Sequence, residues 1–257
     1  MDILISAATH RSGSTMLQRI FNARTETLIW GEHNGVLSDF CKIKKKLNDY
    51  SSKFKNQRSI YFNTNENSSN WIASMNPSNE VIDNAFHQSV KAFLDNLYAE
   101  HSNTHDIIGF KEVRYSRNEL ELFRKCYPDA KIILLVRDPR DVWKSHDIGF
   151  RRAFYNNSLI RFTQRWTNHV SNYIDFSNND PNAYLVKYED IIERKPETLN
   201  VILDVAEITI EELNSVLNVK ISGPVKKGTC GPNERRIIEN RCRDVMKQLN
   251  YSVDQNT

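Results

Sequence analysis

The chain has 257 residues, of which 39% are hydrophobic and 26% charged, with a net charge of +3. That length supports one well-buried core, so a single domain over 1–257 is expected, and no apolar run nears the roughly 20 residues of a membrane-spanning helix. The mild positive balance suits an anionic ligand but falls short of the dense basic field of a dedicated nucleic-acid binder.

The run Ile3-Leu4-Ile5 reads as a buried strand and begins almost at Met1. It leaves no room for an export signal, so a cytoplasmic location is expected. The segment Thr9-His10-Arg11-Ser12-Gly13-Ser14-Thr15-Met16-Leu17 then leads into a helix predicted over 14–23. A strand, a polar loop with one Gly and a helix N-terminus direct backbone N–H groups and the helix dipole onto an oxyanion. Ser12, Ser14 and Thr15 add hydroxyl donors and Arg11 adds a planar cationic fork. The same residues also suit an ordinary helix N-capped by Ser12 or Ser14. There is no second Gly and no Lys before Thr15, so the segment is not a Walker loop and no magnesium site of that type is recognisable.

From 36 to 80 an irregular excursion or lid is expected, because Asn and Ser crowd it and neither the helical nor the strand period is clear. Its aromatics Tyr61, Phe62 and Trp71 either line an acceptor pocket or pin the segment to the body. Helices are predicted over 80–101, 117–126, 138–148, 155–176, 196–206 and 233–249, and strands at Ile107–Phe110, Ile132–Val136 and Tyr184–Val186. Strands alternating with helices define an α/β class, three-layered, with a central parallel β-sheet flanked by helices. Lys111 follows the first of these runs, Ile107–Phe110, and so falls on the ligand edge of such a sheet. Arg137 closes the next, and Ser145, eight residues on, can face the same phosphate unless Asp141 claims the guanidinium. Lys226-Lys227-Gly228-Thr229-Cys230-Gly231 is a doubly cationic loop that serves either as a ligand clamp or as a solvated turn, and 252–257 is expected to be a frayed tail. Cys41, Cys126, Cys230 and Cys242 form no C-x-x-C pair, which argues against zinc and against a disulfide scaffold.

Arg11 to Thr15 resembles the R-S-G-[ST]-T phosphosulfate loop of sulfotransferases that use 3'-phosphoadenosine 5'-phosphosulfate (PAPS). The bacterial, carbohydrate and tyrosyl-protein members are more similar than the cytosolic ones. Arg137 and Ser145 match the Arg and Ser that hold the 3'-phosphate in that family, within a segment of the form [LV]-x-R-[DN]-P-[RK]-D. Lys226, Lys227 and Gly228 look like its R-K-G-x-x-G element, and Tyr188-Glu189-Asp190 is similar to its Y-E-D, whose Tyr lies near the adenine. The resemblance runs from residue 3 to about 240, with nothing specific in 40–100. It implies a P-loop NTPase-like sulfotransferase fold, a cofactor site of Arg11, Ser12, Gly13, Ser14, Thr15, Met16, Arg137, Ser145, Tyr188, Lys226, Lys227 and Gly228, PAPS as donor, and no metal.

The implied reaction is in-line transfer of a sulfuryl group to a hydroxyl or amine, with release of adenosine 3',5'-bisphosphate. Arg11 and Lys111 would stabilise the leaving oxygen; Arg11 stays charged throughout, whereas Lys111 can also give up a proton. The His of the cytosolic K-T-H segment is replaced here by Val113, so the base is sought in Glu32 of Trp30-Gly31-Glu32-His33, which resembles the G-E segment of tyrosyl-protein sulfotransferases. His10, His33 and Glu112 are lesser candidates. Arg151 and Arg152 hint at an anionic or polyhydroxyl acceptor, and a small molecule is expected, with no nucleic-acid or membrane partner. A P-loop-type nucleotide kinase and a non-catalytic nucleotide-phosphate binder are the alternatives. Nucleic-acid binding through Lys42, Lys44, Lys45 and Lys46 or Arg235, Arg236, Arg241 and Arg243 ranks below them, because such runs are usually solvated helix faces.

Overall fold

The computed structural model describes residues 1–219 and 228–253. In chain order the first half comprises β1 (Ile3–Ala7), α1 (Ser14–Phe21), β2 (Thr27–Trp30), α2 (Val36–Lys53), α3 (Lys55–Asn63), α4 (Asn79–Leu97), β3 (Ile107–Val113) and α5 (Arg117–Cys126). The second half comprises β4 (Lys131–Val136), α6 (Pro139–Ser145), α7 (Ile148–Tyr155), α8 (Leu159–Asn179), β5 (Ala183–Lys187), α9 (Tyr188–Ile192), α10 (Pro196–Ala206), α11 (Ile210–Leu217) and α12 (Pro232–Gln248).

The strands pair in the order β2-β3-β1-β4-β5, all parallel. Both faces are covered, which is why the central strands read as unbroken apolar runs rather than alternating ones. Ile3, Ile5, Ala7, Ile133 and Leu135 face α1, α10 and α11, while Leu4, Phe110, Ile132, Leu134 and Val136 face α4, α5, α8 and α12. The result is a three-layer α/β architecture, as expected. Gly109 lets the sheet close, since a Cβ there would stand 2.4 Å from the Ile3 carbonyl oxygen. Among the described residues no helix is long and apolar enough to cross a membrane.

The expected irregular excursion over 36–80 is largely helical. Leu37, Phe40 and Cys41 recur at the i, i+3, i+4 spacing and pack on the same core as α4 and α5. Only Leu37 and Ser51 of α2 are buried, so the apolar stripe is narrow and the Lys-rich remainder hides it. α3 buries nothing. The irregular part narrows to 64–78, where Trp71 packs edge-on against Tyr61 at 5.0 Å and pins the turn to α3. The predicted helix 155–176 is divided: Asn156 and Asn157 both take φ of 52°, ending α7 before Ser158 caps α8. Of the expected tail, 254–257 lies outside the described residues.

Candidate active site

β1 leads toward β2 and β4 toward β5, so the sheet has its switch point between β1 and β4, and the crevice beyond their carboxyl ends is where such sheets bind ligands. The loop leaving β1 lies there. Ser12 is fully buried, donates to the Thr9 carbonyl at 2.8 Å and meets the Thr9 hydroxyl at 2.9 Å. Its hydroxyl therefore shapes the loop. Arg11 and Gly13 take φ of 66° and 92°. Gly13 is required twice over, because a Cβ would also lie 2.3 Å from Cδ2 of Tyr188. It occupies the N-cap position of α1, and no side chain caps that helix. This removes the reading of Ser12 or Ser14 as an N-cap and leaves the helix start open to an anion. Met16 turns away: its side chain is in the core and its N–H bonds the Gly13 carbonyl. Of the remaining loop residues, Arg11 and Thr15 are exposed, Gly13 is half-buried and Ser14 is buried at the start of α1.

Arg137, immediately beyond β4, reaches back to this loop. Its Nη1 donates to the Arg11 carbonyl at 2.9 Å and its guanidinium lies 4.2 Å from the centre of the Tyr188 ring. Asp141 does not claim it, and Nε is buried with no partner, an N–H that an anion would satisfy. Asp138 instead caps α6 and pairs with Arg140. Ser145 ends α6 with its hydroxyl bonded at 2.8 Å to Val142 O, a weak local bond it can exchange for a ligand oxygen. Tyr188 stands between Gly13 and Arg137 as a spacer. Gly228 closes on the end of α6, where a Cβ would sit 2.1 Å from the His146 carbonyl oxygen. Lys226 and Lys227 lie outside the described residues.

Across the crevice the two expected catalytic side chains meet. Lys111 on β3 donates to Glu32, which follows β2, in a direct ion pair with side chains 6% and 37% exposed. The buried ammonium needs that carboxylate, and the carboxylate keeps a solvent-facing side. Glu112 and His33 are tied into the turn after β2 by hydrogen bonds. Glu112 is fully buried and accepts from the N–H groups of Gly35 at 2.8 Å and Val113 at 2.9 Å. His33 Nδ1 accepts from Val36 N–H at 3.1 Å, and its Nε2 meets the Tyr115 hydroxyl at 3.1 Å. Burial holds its pKa below the ordinary value, against the opposing pull of Glu112. Together they fix the 31–36 turn that carries Glu32. The lone polar residues Glu112 and Tyr115 gave no spacing signal for this; only the fold brings them together.

His10 lies beside Phe150 and Phe154, with ring centroids at 5.3 and 4.7 Å. Its pKa is lowered to about 4, first by burial and then by Arg114, so the ring is neutral near pH 7.

The chain belongs to the sulfotransferase family, whose model matches residues 5–212. A Caenorhabditis elegans protein named for protein-tyrosine sulfotransferase activity is 31% identical over 135 residues, 50% of this chain. The match covers 49% of that protein, about half its length. Two solved structures share the fold at a TM-score of 0.58 and 17% identity. The sulfotransferase domain from the curacin biosynthetic pathway covers 98% of this chain and 99% of its own. That of the Synechococcus PCC 7002 olefin synthase covers 99% and 96%. Mouse sulfotransferase SULT7A1, solved with PAP, is similar at a TM-score of 0.51 and 12% identity, over 97% of this chain and 85% of that one.

Proposed function

We propose that the chain transfers a sulfuryl group from PAPS to a hydroxyl or amine of a small-molecule acceptor, in line and without a metal, releasing adenosine 3',5'-bisphosphate. The observation that carries this reading is the Lys111–Glu32 pair on the same sheet edge as the uncapped α1 start: one cation near the carboxyl end of β3 and one carboxylate just beyond the adjacent β2. PAPS supplies a sulfuryl group already attached to a good leaving phosphate. The protein's share is therefore orientation and charge stabilisation.

The residues present fit such a donor. Arg11, Ser14, Thr15 and the free N-terminal turn of α1 would hold its 5'-phosphosulfate. The unpartnered Arg137 N–H and the Ser145 hydroxyl would hold its 3'-phosphate, with Lys226, Lys227 and Gly228 closing over it. Lys111 is placed to stabilise the oxygen that takes up charge as the sulfur–oxygen bond breaks. Glu32, which keeps a solvent-exposed side, would take the acceptor's proton; His10, held neutral, is a poor rival because its low pKa makes it a weak base. Lys111→Met is expected to slow release of the bisphosphate from PAPS by about 100-fold or more, whereas EDTA leaves the wild type unchanged. Release that survives the substitution, or that depends on magnesium, contradicts the reading.

A further inference from the structure

Beyond Lys111 and Glu32 lies a cationic cleft whose lining includes neither Arg151 nor Arg152. Arg151 is committed elsewhere: it is buried, donates to Trp143 O at 2.8 Å and to Thr229 O, and lies 4.0 Å from the centre of the Trp143 ring. The positive charge comes from Arg114, the first residue after β3, and Arg165 on α8. Both converge on Phe154, Arg114 over its ring at 5.3 Å and Arg165 bonded to its carbonyl at 3.4 Å. With His169 and Val113 they line a cleft of about 350 Å³, and Arg165 and His169 continue into a second of about 590 Å³ that also holds Arg161 and Asn172. Those volumes suit a small ligand.

Neither Arg114 nor Arg165 has a carboxylate partner among the described residues. The one acid on the smaller cleft, Asp39, is paired with Lys42 at 2.8 Å. Arg114 Nε and His169 Nδ1 are buried and make no hydrogen bond. A guanidinium N–H taken out of water without an acceptor is costly, and two arginines with no anion between them form an incomplete arrangement that a ligand can complete. His10 ties the cleft to the chemistry: it lies 4.7 Å from the Phe154 ring that Arg114 also covers, and the charges of Arg114, Lys111 and Glu32 all act on it.

We infer that Arg114 and Arg165 form an anion subsite for the acceptor, so that the compound sulfated is a small hydroxyl or amine bearing its own carboxylate, sulfate or phosphate. This rests on the sulfuryl-transfer reading above. The test compares matched phenols: 4-hydroxyphenylacetate and 3-(4-hydroxyphenyl)propionate as anions, 4-ethylphenol as neutral and tyramine as cation. Each is measured as an acceptor with PAPS and by calorimetry as a ligand of the protein saturated with adenosine 3',5'-bisphosphate. At least one anion is expected to be preferred by about tenfold or more, the scale of one charge-assisted hydrogen bond. That preference should collapse in Arg114→Gln and Arg165→Gln and return in part in Arg165→Lys, with the bisphosphate still bound as evidence of folding. No preference in the wild type, or one that persists in both Gln variants, overturns the subsite while leaving the cofactor reading standing. Binding of an acidic tyrosyl peptide but of neither small anion overturns the small-acceptor assignment. Failure of the wild type to bind the bisphosphate overturns both readings together.

Discussion

At the scale of single residues, two side chains separate the parts of the chemistry. Glu32 accepts a hydrogen bond from the Lys111 ammonium but also faces solvent, so Glu32→Gln keeps a hydrogen-bond acceptor for Lys111 while removing the basic oxygen. Turnover is expected to fall by about 100-fold or more with the affinity for adenosine 3',5'-bisphosphate unchanged, a split that kinetics and calorimetry on one preparation would show. Full activity would move the base elsewhere. Arg137 is the reverse case. Its Nε has no partner and its Nη1 bonds the Arg11 carbonyl, so on the proposed reading Arg137→Ala is expected to weaken bisphosphate binding by at least about 1.5 kcal/mol. Unchanged affinity would remove it from the site.

At the scale of elements, the phosphate loop depends on one backbone conformation. Gly13→Ala would impose a left-handed φ on a residue with a Cβ and drive that Cβ into Tyr188. Urea unfolding should show a loss of about 1–2 kcal/mol or more, with bisphosphate binding impaired as well. A neutral result would mean that the loop relaxes without needing the conformation seen. This loop was legible in the sequence because a strand, a single Gly and a run of donors must lie consecutively to work. Arg137 and Ser145 were legible for the same reason, lying on one strand end and the helix that follows. α2 was not, because its apolar stripe is only a few residues wide within a Lys-rich surface. Arg114 and Arg165 were also missed. They stand 51 positions apart and come together only through Phe154 of α7, which both of them contact. Arg151, conversely, looked available in sequence but is a strut between α6, α7 and the 228–231 segment.

At the scale of the whole molecule, the crevice side of the fold stores several neutral imidazoles. Burial first, and then neighbouring cations, lower His10 and His169 to about 4; burial takes His146 to about 3. These folded-state values lie below the unfolded value near 6.5, so between them the unfolded chain binds more protons and stability is lost as pH falls from about 6.5 toward about 4. Urea unfolding at pH 7 and pH 5 should show a loss on the order of 1 kcal/mol per imidazole. His146→Phe, which keeps the stack on Phe150, should remove its share. Stability that is flat across this range would mean the rings are solvated and charged in the folded state.

The central claim is that the β1–β4 crevice holds the nucleotide of a sulfuryl donor. It is tested most directly by calorimetric titration with adenosine 3',5'-bisphosphate, ADP and ATP, each with and without magnesium. The account predicts a clear preference for the bisphosphate that magnesium does not change, because ADP has no 3'-phosphate to offer the proposed Arg137 and Ser145 site. A preference for ATP that requires magnesium would contradict it and point instead to phosphoryl transfer on the same fold.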